Sequence, residues 1–278
     1  MRTIALIYFI IAGNVLFSQG LCIHYLANDG FLVSSGMNSI MVDGLFEKID
    51  GNWCDSPDDS LIEQIIGGQS PFDHVSVLAV SHKHIDHFNG KLVTEFMQAN
   101  PQCKLVCPVQ VEDELAIQNG FENIKDRIIS ITPDFLQDST IRLNDIPIRI
   151  IRLPHSEYMI HDSVNDVLVN KHKDIENLGF VFSMGDSKVF HMGDASPNDS
   201  LSFQKYQLNL ESIDVAMFDR MFFAGAKQNM NIVNNLVGAR YNVIMHINPS
   251  NKELFYNYFI EKEQVIVFKD ALSKKCID

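Results

Sequence analysis

Four side chains able to bind a metal, His82, His84, Asp86 and His87, fall within six residues. Neighbours on a strand alternate faces and residues one or two apart diverge on a helix, so no face of a regular element presents all four together. The stretch has to be a tight turn, held by whatever leads into it. Directly before it, Val75-Ser76-Val77-Leu78-Ala79-Val80 is a nearly unbroken apolar run, which predicts a strand buried on both faces. The motif therefore sits at the C-terminal end of a core strand.

The surrounding chain alternates strands and helices. Cys22 to Ala27, Phe31 to Ser35 and Ser39 to Val42 read as a meander, with turns at Asn28-Asp29-Gly30 and Gly36-Met37-Asn38. Ser56-Pro57-Asp58-Asp59 starts a helix whose apolar stripe is Leu61, Ile62, Ile65 and Ile66, and Gly67-Gly68 ends it. A second helix carries Leu92, Val93, Phe96 and Met97 and stops before Pro101. Further strands are expected at Pro147 to Leu153, Gly179 to Met184, Lys188 to Met192, Asp214 to Phe218, Asn242 to His246 and Gln264 to Phe268. Helices are expected near Ser200 to Leu208, Asn229 to Val237 and Asn251 to Glu261. No Pro/Gly/Ser-rich linker separates the halves, so residues 21–278 read as one α/β domain of two similar halves.

If the turn binds metal, further ligands have to come from other strand ends. Three candidates fit: His155 after Pro154, Asp194 after Gly193, and His246 after Val243-Ile244-Met245. Each leaves a largely apolar strand, as His82 does. His24, His74, His161, His172 and His191 lack a partner at diagnostic spacing and read as non-ligands, with His161 expected closest to the site because it follows His155 by six residues. Leu45, Phe46, Trp53, Phe88, Tyr158, Phe222 and Phe223 lie near the motifs and suggest a pocket tolerant of apolar substrates. Arg220 and Lys227 are cations available to an anionic group.

Met1-Arg2, the apolar run Ile4 to Phe17 and Ser18-Gln19-Gly20 read as a secretory signal peptide over residues 1–20. The run is short and interrupted for a membrane span, so no stable membrane insertion is expected after cleavage. The protein is accordingly expected to be exported, periplasmic or secreted. A formal net charge of −13 has the wrong sign for nucleic acid, which leaves a small molecule as the expected partner. The five Cys are an odd number, so at least one is unpaired, and export would permit a disulfide.

Taken in order, Asp43 in Met41-Val42-Asp43-Gly44, the 82–87 turn, His155, Gly193-Asp194 and His246 make the chain similar to the metallo-β-lactamase superfamily over nearly its whole length past residue 20. An Asp rather than a Cys at position 194 resembles the branch of glyoxalase II and lactonases. The resemblance implies a four-layer αββα sandwich, in which two mixed sheets are flanked by helices. It implies that His82, His84 and His155 hold one metal, that Asp86, His87 and His246 hold a second, that Asp194 bridges them, and that Asp43 supports the turn. Five imidazoles and two carboxylates suit two Zn²⁺, and would also hold Fe or Mn. The implied activity is hydrolysis of an ester, lactone, amide or phosphoester by a metal-bridging hydroxide, with Asp86 and Asp194 as catalytic residues. The alternatives are an iron-dependent oxidoreductase of the same fold, a nuclease, which the acidic charge disfavours, and a metal-binding protein without turnover.

Overall fold

The computed structural model describes residues 20–51 and 53–277, so the segment read as a signal peptide lies outside the described residues apart from Gly20. The chain opens with the expected meander, β1 (Leu21–Ala27), β2 (Gly30–Ser35) and β3 (Asn38–Val42), followed by α1 (Asp59–Ile66) and β4 (Val75–Ala79). Asp58 caps α1, its side chain accepting from the Leu61 N–H. α2 (Gly90–Ala99), capped by Asn89, then leads to β5 (Lys104–Cys107), α3 (Val109–Ala116) and β6 (Ile128–Ser130). The second half runs β7 (Asp138–Leu143), β8 (Ile146–Arg152), the hairpin β9 (Met159–Asp162) and β10 (Val167–Asn170), β11 (Leu178–Met184) and β12 (Ser187–His191). It continues with α4 (Ser200–Tyr206), β13 (Val215–Asp219), α5 (Lys227–Asn231), β14 (Tyr241–Met245), α6 (Lys252–Phe259), β15 (Val265–Val267) and β16 (Lys274–Ile277).

These strands form two mixed seven-stranded sheets, ordered β16-β1-β2-β3-β4-β5-β6 and β15-β14-β13-β12-β11-β8-β7. The period-2 alternation of β3 shows how the layers arise. Ile40 and Val42 point into the core between the sheets, while Met41 points outward with Leu32, Leu78 and Leu105 to meet Leu61, Ile65, Val93, Phe96, Val111 and Leu115 of α1, α2 and α3. On the second sheet Phe180 and Phe182 are fully buried on the face that meets the first sheet, and Phe190, on the opposite face, packs on Phe218, which leads through Phe222 to Phe203 of α4. The expected αββα sandwich is thus the observed one.

Three features go beyond the sequence reading. The helix near Asn229 to Val237 is α5 running into a π-helical stretch, Ile232–Val237, that ends at Gly238 in the left-handed conformation (φ 65°). The polar segment Asp162 to Glu176 contains a strand, β10, which pairs with β9 outside both main sheets. The C-terminal strand β16 closes the first sheet by pairing antiparallel with β1, and a Cys22–Cys276 disulfide ties the two together across a sequence separation of 254 residues. Cys54, Cys103 and Cys107 stay as free, buried thiols, and burial pushes Cys54 and Cys103 up to about 12, which leaves them unreactive at neutral pH. No helix among the described residues is long and apolar enough to cross a membrane.

Candidate metal centre

The chain ends of β1, β3, β4, β8, β12, β13 and β14 converge at one edge of the sandwich, and each delivers a polar residue there. β4 runs through Val80-Ser81 into the 82–87 turn, which closes on itself with the His87 and Phe88 N–H groups donating to the His84 carbonyl. β8 leads to His155, bridged to Ala195 beside Asp194. β14 leads to His246, whose backbone is left-handed at φ 56°, as are Asn28 and Asp43 at φ 46°. Such conformations cost on the order of 1–3 kcal/mol each and persist where surrounding contacts hold them, often at functional sites.

Two ligand sets result. In the first, His82 Nε2 lies 3.1 Å from His84 Nδ1, and His155 Nε2 lies 3.3 Å and 3.1 Å from those two atoms. Asp194 Oδ2 completes this set at 3.5 Å from His155 Nε2 and 4.0 Å from His82 Nε2. In the second, His87 Nε2 is 3.3 Å from Asp194 Oδ1, 3.4 Å from Asp29 Oδ2 and 3.6 Å from Asp86 Oδ2. His246 Nε2 faces Asp86 Oδ2 at 3.3 Å and Asp194 Oδ2 at 3.6 Å. All seven residues read from the sequence, His82, His84, Asp86, His87, His155, Asp194 and His246, are therefore brought together, with Asp194 between the two sets.

Imidazole nitrogens 3.1 to 3.3 Å apart converge on shared points, as ligands of a cation do. The buried atoms without a hydrogen-bond partner among the described residues include His87 Nε2, Asp194 Oδ1 and both carboxylate oxygens of Asp29. Leaving such groups unpaired in a protein interior costs on the order of 1–3 kcal/mol each, more when charged. These residues fit a pair of metal ions, because a cation in each set would give His87 Nε2, Asp194 Oδ1 and an Asp29 oxygen a partner.

The outer partners hold the rings in the required orientation. Asp43 Oδ1 accepts from the Ser81 N–H at 2.7 Å, and its Oδ2 accepts from Ser81 Oγ at 2.5 Å and His87 Nδ1 at 2.9 Å. With the Ser81 hydroxyl committed to Asp43, its oxygen is left to accept from His82 Nδ1 at 3.0 Å. Asp43 thereby fixes His87 directly and His82 through Ser81 by their Nδ1 atoms, leaving both Nε2 atoms facing inward for a metal. The Ser156 carbonyl accepts from His155 Nδ1 at 2.8 Å, and buried Asp219 sits 3.7 Å from His246 Nδ1. Asn177 binds the Asp194 N–H through Oδ1 at 2.9 Å, and a Cβ on Gly193 (φ 57°) would lie only 2.2 Å from that oxygen.

The charges divide between the sets. Burial, reinforced by neighbouring imidazoles, drives His82 well below the usual range and His84 down to about 4, so these rings are neutral at pH 7. Burial alone would lower His87 and His246 as well, but carboxylates led by Asp194 raise both well above the usual value. Burial would likewise raise Asp194, yet His246, His87 and His82 together hold it well below the carboxylate range.

Several expectations need correction. His161 is exposed and pairs with Asp166 in the hairpin, away from the ligand sets. His172 is instead the ring at the site, with centroids 4.7 Å from His84 and 4.3 Å from His155, and its Nδ1 donates to the Ser156 carbonyl at 3.0 Å. Leu45, Phe46, Phe88 and Phe222 are buried, Phe88 also lining a cavity with Ile85, and Phe223 is half-buried, which leaves Trp53 and Tyr158, with Ile85, as exposed apolar groups near the motifs. Arg220 is engaged by the His246 carbonyl at 2.5 Å. Asp29 and Asp219 were missed, although both obey the strand-end rule that located His155, Asp194 and His246.

Two seven-stranded sheets carrying two histidine–aspartate sets at one edge define a metallo-hydrolase fold. The chain belongs to the beta-lactamase superfamily domain family, whose model matches residues 57–253. Among solved structures it is similar to Igni18, a metallo hydrolase of Ignicoccus hospitalis, at 15% identity and TM-score 0.59, covering 93% of this chain and 98% of that one. YhfI of Bacillus subtilis, a metallo-beta-lactamase fold protein, follows at 14% identity and TM-score 0.54, covering 93% and 99%. CmlA, a diiron β-hydroxylase of Streptomyces venezuelae, aligns at 9% identity and TM-score 0.52, covering 93% of this chain and 54% of that one. No curated protein matches the chain.

Proposed function

We propose that this protein is an exported hydrolase that uses two zinc ions to cleave an ester, lactone, amide or phosphoester bond in a small molecule. The observation that carries the reading is the convergence of two ligand sets on a shared Asp194, with buried polar atoms left without a protein partner. His82, His84, His155 and Asp194 would hold one ion, and His87, His246, Asp86 and Asp194 the other. When bound, the pair supplies Lewis acidity and water acidified toward neutral pH.

The chain's own residues do the rest. Asp194 sits between the two sets and its negative charge offsets the repulsion of like charges on either side. Asp86 is fixed by the Asn28 amide, which donates to its Oδ2 at 3.1 Å, and is the carboxylate placed to orient the attacking water and accept its proton. Asp43, Ser81 and Ser156 keep the imidazoles of His87, His82 and His155 aimed, while Arg220 Nη1 meets His246 Nδ1 at 3.2 Å and Asp219 lies just beyond. His172, beside His84 and His155, is a hydrogen-bonding group at the rim of the first set.

The Cys22–Cys276 disulfide supports export, since such bonds persist in oxidising compartments. The formal charge of −13 favours a small-molecule partner over nucleic acid. An iron-dependent oxidoreductase is the second reading, favoured by the carboxylates Asp29, Asp86 and Asp194 around His87. The test is purification from an exported preparation, metal quantification, and a panel of lactone, thioester, β-lactam and phosphodiester substrates. Two zinc per chain with turnover abolished by Asp86→Ala and Asp194→Ala is the expected result. Iron with visible absorption favours oxidation, and turnover intact in both variants contradicts the hydrolytic reading.

A further inference from the structure

We propose that Asp29 is a direct ligand of the second metal, adding a carboxylate from the β1–β2 turn to the set formed by His87, His246, Asp86 and Asp194. The inference rests on the two-metal reading above and extends it to a residue outside the motifs that led there.

Asp29 is fully buried, and neither of its carboxylate oxygens has a hydrogen-bond partner among the described residues. A carboxylate in that state is among the costlier things a protein interior can hold, unless it is paired or coordinates a metal. Its Oδ2 lies 3.4 Å from His87 Nε2, and one oxygen of Asp29 falls within 4.8 Å of ligand atoms of His87, Asp194 and His246. The turn that carries it is built to keep it there. On one side Asn28 Nδ2 donates to Asp86 Oδ2, and on the other His191 Nε2, reaching from β12 in the opposite sheet, donates to the Asp29 carbonyl at 2.9 Å. The Gly193 N–H approaches His191 Nδ1 at 3.2 Å, which ties the Asp29 turn to the Asp194 turn through one imidazole. Gly30 lets the turn close, since a Cβ there would meet the Asp43 carbonyl oxygen at 2.9 Å.

With Asp29 counted, the two sets differ in kind. The first is three imidazoles and a shared carboxylate, a donor set suited to zinc. The second is two imidazoles with Asp29, Asp86 and the shared Asp194, and carboxylate-rich sets suit harder cations such as Mn²⁺. Asp29 should therefore matter more for Mn²⁺ than for Zn²⁺, and more for the second metal than for the first.

The test compares wild type with Asp29→Asn, an isosteric change that removes the charge. Stripped protein is titrated with Mn²⁺ and separately with Zn²⁺, bound metal is counted by mass spectrometry after equilibrium dialysis, and the melting temperature is recorded with and without metal. The expected result is a first metal bound as before, a second whose Mn²⁺ affinity falls on the order of 100-fold and whose Zn²⁺ affinity falls less. The stripped variant should melt no lower than stripped wild type, because burial disfavours the carboxylate charge that Asn lacks, while the loaded variant melts lower. Asp29→Ser, smaller and also neutral, gives the same pattern if the Asn variant does not fold. Two metals bound by the variant at unchanged affinity, or a lower melting temperature of the stripped form with affinity unchanged, overturns the assignment and makes Asp29 structural. Wild type that holds fewer than two metals instead overturns the two-metal reading itself.

Discussion

Replacing Asp43 by Asn should disable both metal positions at once, although Asp43 itself contributes no ligand atom. The side chain is fully buried and accepts from the Ser81 N–H, Ser81 Oγ and His87 Nδ1. Asn has the same size and tolerates the left-handed backbone at this position (φ 46°), so the turn itself is not disturbed. If the Asn oxygen keeps the Ser81 N–H, its NH₂ takes the place of Oδ2 and becomes a donor where an acceptor stood. The Ser81 hydroxyl must then accept from it and turn its own proton toward His82 Nδ1, 3.0 Å away. His87 Nδ1 faces the same new donor. Both rings are driven to carry hydrogen on Nε2, the atom that faces the ligand sets. Two hydrogen bonds to a charged acceptor are lost, at about 1.5–3 kcal/mol each, and a loss of about 3 kcal/mol at each position is on the order of a 100-fold loss of metal affinity. The assay is competition with a chromogenic chelator, resolving the two binding steps. Unchanged affinity at both steps would refute the tautomer argument, and weakening at the second position alone would show that Asp43 acts only through His87.

Other expectations follow from the same geometry. Metal uptake should be pH-dependent mainly at the second position: His87 and His246, raised by their carboxylates, hold protons at pH 7 that a metal must displace, whereas His84, at about 4, and His82 do not. Calorimetry in buffers of different ionisation enthalpy should show proton release in the second step and little in the first. The folding signs are opposite as well. The metal-free protein should lose stability as pH falls from 6.5 toward 4, where the unfolded His84 takes a proton that the folded one refuses, while protonated His87 and His246 stabilise it until pH rises through their elevated values. Urea midpoints of the stripped protein across that range, with His84→Ala as control, separate the contributions. Gly193→Ala should cost several kcal/mol and misplace Asp194, since the added methyl meets Asn177 and Ser81, and chemical denaturation together with metal counting checks it. Cys22→Ser with Cys276→Ser should lower stability by about 2–4 kcal/mol, because the bond closes nearly the whole chain, and an unchanged denaturation midpoint would count against that.

The strands and ligands that proved legible share one property, which is that local pattern and chemistry coincide. An apolar run ending in His or Asp is an unusual string, so β4 before His82, β8 before His155, β12 before Asp194 and β14 before His246 stand out. Asp29 follows β1 in the same way, but Asn-Asp-Gly is also what a tight hairpin requires, and the turn reading absorbed the chemical one. Asp219 ends an apolar run too, but the residue it neighbours, His246, comes from the end of β14, a proximity that no sequence spacing shows. The β1–β16 pairing and the Cys22–Cys276 bond join opposite ends of the sequence, where no local pattern carries information. His161 and His172 could not be ranked from spacing, since the β9–β10 hairpin carries the chain out and back and returns His172, not His161, to the metal edge. The aromatic residues after the motifs were misplaced for a related reason. Burial depends on what packs above a loop, and Phe46 and Phe222 turn inward where sequence order alone leaves them free.

The central claim is that two metal ions sit between these strand ends, and the most direct measurement is the metal content of the wild-type protein at saturation. Protein stripped with a chelator, reloaded with Zn²⁺ and freed of excess by dialysis should hold two zinc ions per chain, falling to one or none in Asp194→Ala, whose carboxylate serves both sets. A wild-type stoichiometry of one, or two ions retained after loss of Asp194, would contradict the account.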